Sequence, residues 1–242
     1  MTLLLVAGSA GGHPEDELCV PGEDGMDPEL CALLAEMNSS EGALDQTENA
    51  ALLAGFDEQR GFFETAGIYI RIGIGHILPG GADHILFVLG LFLFSTRLRP
   101  LLWQITMFTI AHSITLAMAM TGVIDLPARV VEPLIALSIA YVGIENVWHR
   151  RLHKSRLVLV FAFGLLHGLG FASMLADFGM PENAFATALI AFNIGVEFGQ
   201  LAVVALAFLI VGLWFGNRPD YRRLVVIPGS LLIAAVGLYW TW

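Results

Sequence analysis

Apolar residues dominate most of the chain and collect into runs separated by short polar stretches. The runs lie near residues 82–96, 100–121, 130–148, 156–176, 185–213 and 224–241. A transmembrane helix needs about 17–25 mainly apolar residues. The pattern therefore predicts an all-α, polytopic membrane bundle of six transmembrane helices. The first run is short and crosses a bilayer only if it includes the turn that precedes it.

The segment before the first run is ambiguous. "FFETAGIYIRIGIGHIL", residues 62–78, is apolar but carries Glu64 and Arg71. It is interpreted as a seventh span, a half-helix, or a helix lying at the membrane interface. The sequence leaves these three alternatives open.

Charge divides the chain into two regions. Residues 1–64 hold fourteen acidic residues and one basic residue, whereas residues 65–242 hold eight acidic and eleven basic residues. Charged residues make up 14% of the whole chain, against about 25% in average soluble domains. We therefore expect an acidic aqueous segment over residues 1–61 and a transmembrane domain over residues 62–242. No nucleic-acid partner is expected.

The loops between the runs alternate between basic and non-basic. Cytoplasmic loops of membrane proteins are enriched in Lys and Arg. The basic residues stand after the first, third and fifth runs: Arg97, Arg99, Arg150, Arg151, Lys154, Arg156, Arg218, Arg222 and Arg223. Six crossings with both termini outside the cytoplasm fit every loop, and a seventh crossing at 62–78 would instead place the acidic segment inside.

Both cysteines of the chain lie in the acidic segment. Cys19 and Cys31 flank the turn-rich stretch "VPGEDGMDPEL". A pair that closes a short loop suits an oxidising compartment, in agreement with an extracytoplasmic N-terminus. The sequence predicts a disulfide between them, and two free thiols are the alternative.

Ionisable residues inside the apolar runs are the candidate functional residues. Each costs about 2.5–3.5 kcal/mol at the bilayer centre on insertion scales, so it marks a functional site by default. Imidazoles suit transition metals such as nickel and zinc. We expect the side chains of separate spans to converge on such an ion: His76, Asp83, His84, His112, His167 and Glu197.

The expected roles within this set differ. Asp83, His84, His112 and His167 are predicted ligands, Glu197 is a ligand or a proton acceptor, and His76 guards the outer entrance. The alternative for His112 and for His167 is a hydrogen bond that holds two helices together. His149 and His153 lie in a basic loop and are expected to be solvated.

Five motifs together resemble the HupE/UreJ-like membrane family, the hydrogenase and urease accessory proteins regarded as nickel permeases. They are "GHILPGGADHILFVLGLFL", "FTIAHSITLAMA", "VEPLIALSIAYVGIEN", "FGLLHGLGFASML" and "FNIGVEFGQ". The resemblance covers about residues 65–215 and implies a multi-pass bacterial inner-membrane protein that handles nickel or a related divalent ion. By motif, His76, Asp83 and His84 form the first histidine signature and His167 the second.

The chain departs from the better-characterised branch of that family. That branch has a His-Pro pair six residues before the Asp and two histidines in its second motif. Here His76 stands seven residues before Asp83 without a following Pro, and the second motif keeps only His167. The sequence therefore looks like the second, less characterised branch.

The function expected from these observations is a permease for a divalent transition-metal ion, nickel or zinc, rather than an enzyme. One alternative is an intramembrane zinc hydrolase for a lipid-like substrate, with zinc held by His84, His112 and His167. Another is a haem protein with His112 and His167 as axial ligands. The expected partners are the metal ion and the lipid bilayer; the sequence is compatible with a homo-oligomer but does not fix the oligomeric state.

Overall fold

The computed structural model describes residues 61–95, 97–149, 155–171, 184–216 and 218–242. These residues belong to one compact unit, Asp57–Trp242. The acidic segment with its predicted Cys19–Cys31 disulfide, and the loop histidine His153, lie outside the described residues.

The described residues form helices joined by short turns, without a β-strand among them. The helices are α1 (Phe62–Ile77), α2 (Ala82–Phe94), α3 (Leu98–Met120), α4 (Ala128–Trp148), α5 (Ser155–Gly170), α6 (Phe185–Ala207), α7 (Leu213–Phe215) and α8 (Ile227–Trp240). A π-helical turn, Phe208–Gly212, joins α6 to α7, and another, Arg222–Val226, leads into α8. The predicted all-α class is confirmed for these residues.

Three pairs of helices pack around the short helix α2. The pairs are α1 with α6, α3 with α5, and α4 with α8. Helix α2 contacts members of all three pairs, and most of its side chains are buried, including Phe87, Leu91 and Phe92. The centre of the bundle is therefore formed by the apolar helix that directly follows the Pro-Gly-Gly motif.

Glycines allow the paired helices to approach closely. A Cβ at Gly168 of α5 would collide with the carbonyl oxygen of His112 in α3, and a Cβ at Gly195 of α6 would collide with the carbonyl oxygen of Ile70 in α1. Small residues at helix contacts are typical of membrane bundles, where backbones pack directly on one another. The side chains next to these glycines are consequently held at short range from the facing helix.

The apolar helices account for most, but not all, of the predicted crossings. Within the described residues, four segments are long and apolar enough to cross a membrane: Leu98–Met120, Ala128–Trp148, Phe185–Phe215 and Arg222–Trp240. A fifth is obtained if α1 and α2, which are bent by 72° at their junction, form one broken span. Helix α5 has 16 residues and is shorter than the predicted run 156–176, whose last residues lie outside the described ranges.

The bend between α1 and α2 follows from the Pro-Gly-Gly sequence. Pro79 has no backbone N–H and disfavours helical backbone at the residue before it. The backbone then folds back tightly, since the N–H of Gly81 bonds to the carbonyl of Ile77 at 3.2 Å, and a Cβ at Gly81 would collide with the carbonyl oxygen of His76. The last turn of α1 and the first turn of α2 therefore meet at a sharp corner.

Candidate metal centre

Three histidines meet at the bend between α1 and α2. One ring nitrogen from each of His76, His84 and His112 lies within 4.8 Å of the other two. His76 belongs to the last turn of α1, His84 to the first turn of α2, and His112 to the middle of α3. The tight turn at Gly81 is what brings the first two together.

His167 of α5 adjoins this trio. Its ring centroid lies 5.0 Å from that of His84, and Gly168 beside it packs on the backbone of α3. His84, His112 and His167 are each at most 2% exposed. The four residues His76, His84, His112 and His167 are called the histidine cluster below.

The Nε2 atoms of all four histidines are buried and have no hydrogen-bond partner within the part of the chain that the structure describes. Buried polar atoms in proteins are almost always hydrogen-bonded, and each exception needs an explanation. Four such atoms on neighbouring rings make this cluster a candidate site for a bound ion.

The Nδ1 atoms, in contrast, are bonded in three of the four rings. His84 Nδ1 lies 3.1 Å from Oδ1 of Asp83, and His167 Nδ1 lies 2.8 Å from the backbone carbonyl of Phe163. His112 Nδ1 lies 3.4 Å from Oδ1 of Asn193, whose Nδ2 donates to the carbonyl of Leu189 and so fixes the amide orientation.

These partners determine which nitrogen of each ring carries the proton. Carboxylate and carbonyl oxygens only accept, so Nδ1 must donate in His84, His112 and His167. In a neutral imidazole Nε2 is then unprotonated and presents a lone pair. A metal-binding histidine typically donates its other ring N–H to a carboxylate or a carbonyl in this way. The cluster thus presents three lone pairs in the form that binds a metal.

The spacing of the ligand atoms fits a small ion after a modest adjustment. Nitrogen ligands stand about 2.0–2.1 Å from zinc, which places two of them about 3.4 Å apart in a tetrahedral site. The ring nitrogens of His76, His84 and His112 lie within 4.8 Å of one another, so they would close by up to about 1.4 Å onto an ion. The donor set, imidazole nitrogens without a thiolate among the described residues, suits nickel, zinc or a similar ion.

Aromatic rings contact the cluster. Phe108 lies with its ring centroid 5.0 Å from that of His167 and 4.9 Å from that of Phe87, and both phenylalanines are buried. The ring of Phe171 lies 3.8 Å from that of His76 and stacks on Phe192. The imidazoles are therefore packed against buried aromatic rings.

The candidate residues do not all lie in the cluster. His76, expected at an outer entrance, lies within it. Asp83 is adjacent and orients the His84 ring. Glu197 instead accepts a hydrogen bond from Oγ1 of Thr106 at 2.7 Å and lines a groove between α3 and α6. His149, expected to be solvated, lies just beyond the end of α4 and is exposed.

A second buried polar group surrounds Arg156, which the loop-charge pattern places among the cytoplasmic charges. Arg156 is 2% exposed and donates to Oε2 of Glu145 at 2.8 Å, to Oε1 of Gln104 at 3.0 Å and to Oδ1 of Asn146 at 3.0 Å. These four residues are called the arginine cluster. The sequence contains an indication of this group, because Glu145 stands near the end of one apolar run and Arg156 at the start of the next.

The fold and the site together define a class: an all-helical membrane protein with a buried cluster of histidines suited to a metal ion. The family model described as HupE / UreJ protein matches residues 54–242. The chain therefore belongs to the HupE/UreJ family. The curated proteins and the solved structures provide no match.

Proposed function

We propose that this chain is a membrane permease for a divalent transition-metal ion, nickel or zinc, and that the ion passes through the histidine cluster. The observation that carries the proposal is the grouping of His76, His84 and His112, which bring one ring nitrogen each within 4.8 Å of the other two. The Nε2 atoms of these three rings and of the adjoining His167 are buried without a hydrogen-bond partner among the described residues. Membership of a family with metal-related accessory roles supports the same conclusion.

The proposed topology has six crossings in a bacterial inner membrane, with the N-terminus outside the cytoplasm. The bent pair α1–α2 counts as the first crossing. Helix α5, with 16 residues, is about 24 Å long, and we count it as a crossing because the loop before it is basic and the loop after it is acidic. The alternation of loop charge supports this orientation.

The proposed route starts at the partly exposed end of the cluster. Asp83 is 31% exposed, and Pro79 and Gly80 beside it are exposed. An ion arriving there meets a carboxylate before it reaches the imidazoles. Phe87 and Phe108 are buried, with their rings 5.3 Å and 5.0 Å from that of His167, and we expect passage beyond the cluster to require these rings to move.

Each residue of the proposed site has a separate role. His76, His84 and His112 bind the ion, and His167 supplies the fourth imidazole. Asp83 holds His84 in the metal-binding tautomer through its contact with Nδ1. Glu197 lies outside the cluster, so we assign it proton acceptance rather than metal binding.

The second candidate function is an intramembrane zinc hydrolase. Catalytic zinc sites have three protein ligands and an open water position, and the trio of His76, His84 and His112 would satisfy this count. The haem alternative is disfavoured by geometry, because His84 lies beside both proposed axial ligands, with its ring 5.6 Å from that of His112 and 5.0 Å from that of His167. A porphyrin between His112 and His167 would collide with it.

Metal analysis and uptake by the purified, reconstituted protein test the proposal. We expect the wild-type chain to bind nickel or zinc reversibly and to carry it into proteoliposomes, and His112→Ala and His167→Ala to lose both properties. His149→Ala, which changes an exposed histidine, is the matched control. Tightly retained metal after chelator treatment, without uptake, would favour the hydrolase. Wild-type metal content and uptake in both variants would place the site elsewhere.

A further inference from the structure

A groove runs along the outer surface of the bundle between α3 and α6. It has a volume of about 340 Å³ and is lined by four apolar residues and four polar ones, Thr109, Ser113, Asn193 and Glu197. The volume lies in the range of small-molecule sites, about 300–1,000 Å³. This surface is called the lateral groove below.

The rim of the lateral groove faces the region that lipid occupies. Ile190, Ile194 and Phe198 line it and are exposed, and Ile110 and Ile114 of α3 are exposed as well. These residues belong to segments long and apolar enough to cross a membrane. A molecule that reaches the groove from this side must therefore be soluble in the bilayer.

Three of the four polar residues in the groove are satisfied by the protein itself. Ser113 donates to the carbonyl of Thr109 at 2.6 Å, and Thr109 donates to Oε1 of Gln200 at 3.1 Å. The amide of Asn193 is engaged on both sides, by Leu189 and by His112. Their polar groups are directed into the helices and not to a molecule in the groove.

Glu197 is the exception. Thr106 donates to its Oε1 at 2.7 Å, and no cationic side chain among the described residues pairs with it. An acidic group at membrane depth is costly and is normally paired. The groove therefore combines an apolar rim with the carboxylate of Glu197. A positively charged or hydrogen-donating group would complement this carboxylate.

We propose that the lateral groove binds a single-chain amphiphile whose protonated amine lies against Glu197 and whose hydrocarbon chain lies along Ile194 and Phe198. An ammonium group has three N–H donors and no acceptor, which complements the carboxylate. A hydrated metal ion would lose its water at the apolar rim, and an anionic lipid would be repelled by Glu197. The inference does not depend on the permease function.

The groove shares one wall with the histidine cluster. Asn193 lines the groove and also accepts the hydrogen bond from Nδ1 of His112. A bound amphiphile would therefore lie one side chain away from a proposed metal ligand. Binding of an amphiphile in the groove and binding of a metal in the cluster are two separate events, and each can be measured on its own.

Native mass spectrometry of the full chain, released from detergent, tests the inference with dodecylamine and dodecanoic acid as probes of equal chain length. We expect the wild type to retain one dodecylamine and to prefer it to dodecanoic acid by at least roughly tenfold, which is about 1.4 kcal/mol. Glu197→Gln should remove the preference. Ile194→Trp, which fills the groove, should remove the bound amine, whereas Leu206→Trp, at another exposed position of the same helix, should retain it.

Several outcomes would overturn the inference. Equal retention of amine and acid by the wild type would indicate ordinary lipid contact, and an unchanged preference in Glu197→Gln would leave the carboxylate as a proton site only. A wild-type dimer that Ile194→Trp dissociates would make the groove a contact between two copies of the chain. If Ile194→Trp fails to elute as a monodisperse protein, Glu197→Gln alone decides. Failure here with normal nickel uptake would leave the permease proposal intact.

Discussion

The histidine cluster and the arginine cluster are both buried groups of polar side chains within a membrane bundle, yet their hydrogen bonding is opposite. In the histidine cluster, the Nε2 atoms of all four rings have no hydrogen-bond partner among the described residues. In the arginine cluster, Arg156 donates through all three of its guanidinium nitrogens, and its charge lies 4.2 Å from the ring of Phe94. The histidine cluster therefore has nitrogen atoms available to a ligand, whereas the guanidinium of the arginine cluster is bonded within the protein.

The arginine cluster also joins more of the bundle. Asn146 accepts from Arg156 and donates to the carbonyl of Gly90 at 2.7 Å and to Oγ of Ser230 at 3.2 Å. Helices α2, α3, α4, α5 and α8 therefore meet through one polar network. Such a network fixes the relative positions of helices that apolar contacts alone would leave free to slide.

The difference shows that polarity at membrane depth does not by itself identify a binding site. A buried polar network whose members satisfy one another is a structural element, because removing one member leaves the others unpaired. A cluster of histidines whose Nε2 atoms lack partners is stabilised only when a ligand binds to those atoms. Hydrogen-bond satisfaction separates the two cases, and the predictions below test that separation.

The largest expected effect is on stability, from Arg156→Leu. Removing one partner of a buried ion pair costs about 3–5 kcal/mol because the other charge is left uncompensated; here Glu145, Gln104 and Asn146 would all lose a partner. Reversible unfolding in mixed micelles should show this loss, and Arg156→Lys, which keeps the charge but not the fork of donors, should fall between. A variant as stable as the wild type would show that the arginine cluster does not hold the bundle together.

His84→Leu should give the converse result. The substitution removes a buried polar ring whose Nε2 is unpartnered, so we expect the free energy of unfolding without metal to change by less than about 1 kcal/mol or to rise. Metal affinity should fall by more than about 100-fold, beyond the 10–100-fold typical of residues that support a ligand. Isothermal titration with nickel and with zinc measures the affinity. A strongly destabilised His84→Leu that still binds metal would reverse the assignment of the two clusters.

The sequence predicts the spans and most of the histidine cluster because both depend on local composition. Long apolar runs identify the helices α3, α4, α6 and α8. An imidazole such as His112 or His167 stands out in such a run, because an ionisable group is costly to place in a membrane. The small residues Gly164, Gly168, Gly195 and Gly199 also predict the close helix contacts that the structure contains.

What composition does not predict is the geometry between elements. The place of His76 inside the cluster depends on a 72° bend, and a Pro-Gly-Gly motif predicts a break without giving its angle. The count of basic residues in each loop places Arg156 in a cytoplasmic loop, because such a count takes no account of hydrogen-bond partners. Its burial depends on Gln104, Glu145 and Asn146, which come from two other helices and meet it only in the folded bundle.

Asp83→Asn sharpens the comparison within the histidine cluster. The carboxylate lies 3.1 Å from Nδ1 of His84, and such a partner holds the ring in its tautomer and increases its basicity. The amide keeps the size of the side chain and loses the charge, so we expect a 10–100-fold loss of metal affinity with little change in stability. Glu145→Gln makes the same chemical change in the arginine cluster and serves as the control: it should weaken stability and leave metal affinity unchanged.

The smallest effect is expected from Asn193→Ala. Its Oδ1 lies 3.4 Å from Nδ1 of His112, a longer contact than that of Asp83 and one made by a neutral acceptor, and charge-assisted hydrogen bonds are roughly twice as strong as neutral ones. The loss of metal affinity should therefore be near the lower end of the range for supporting residues, about tenfold. Asn193→Asp should restore or raise the affinity, because it places a carboxylate behind His112 as Asp83 stands behind His84. If Asn193→Ala and Asp83→Asn reduce nickel affinity equally, the charge of the supporting group does not control the ligand. If neither changes it, the Nδ1 contacts hold the rings in place without tuning them for a metal.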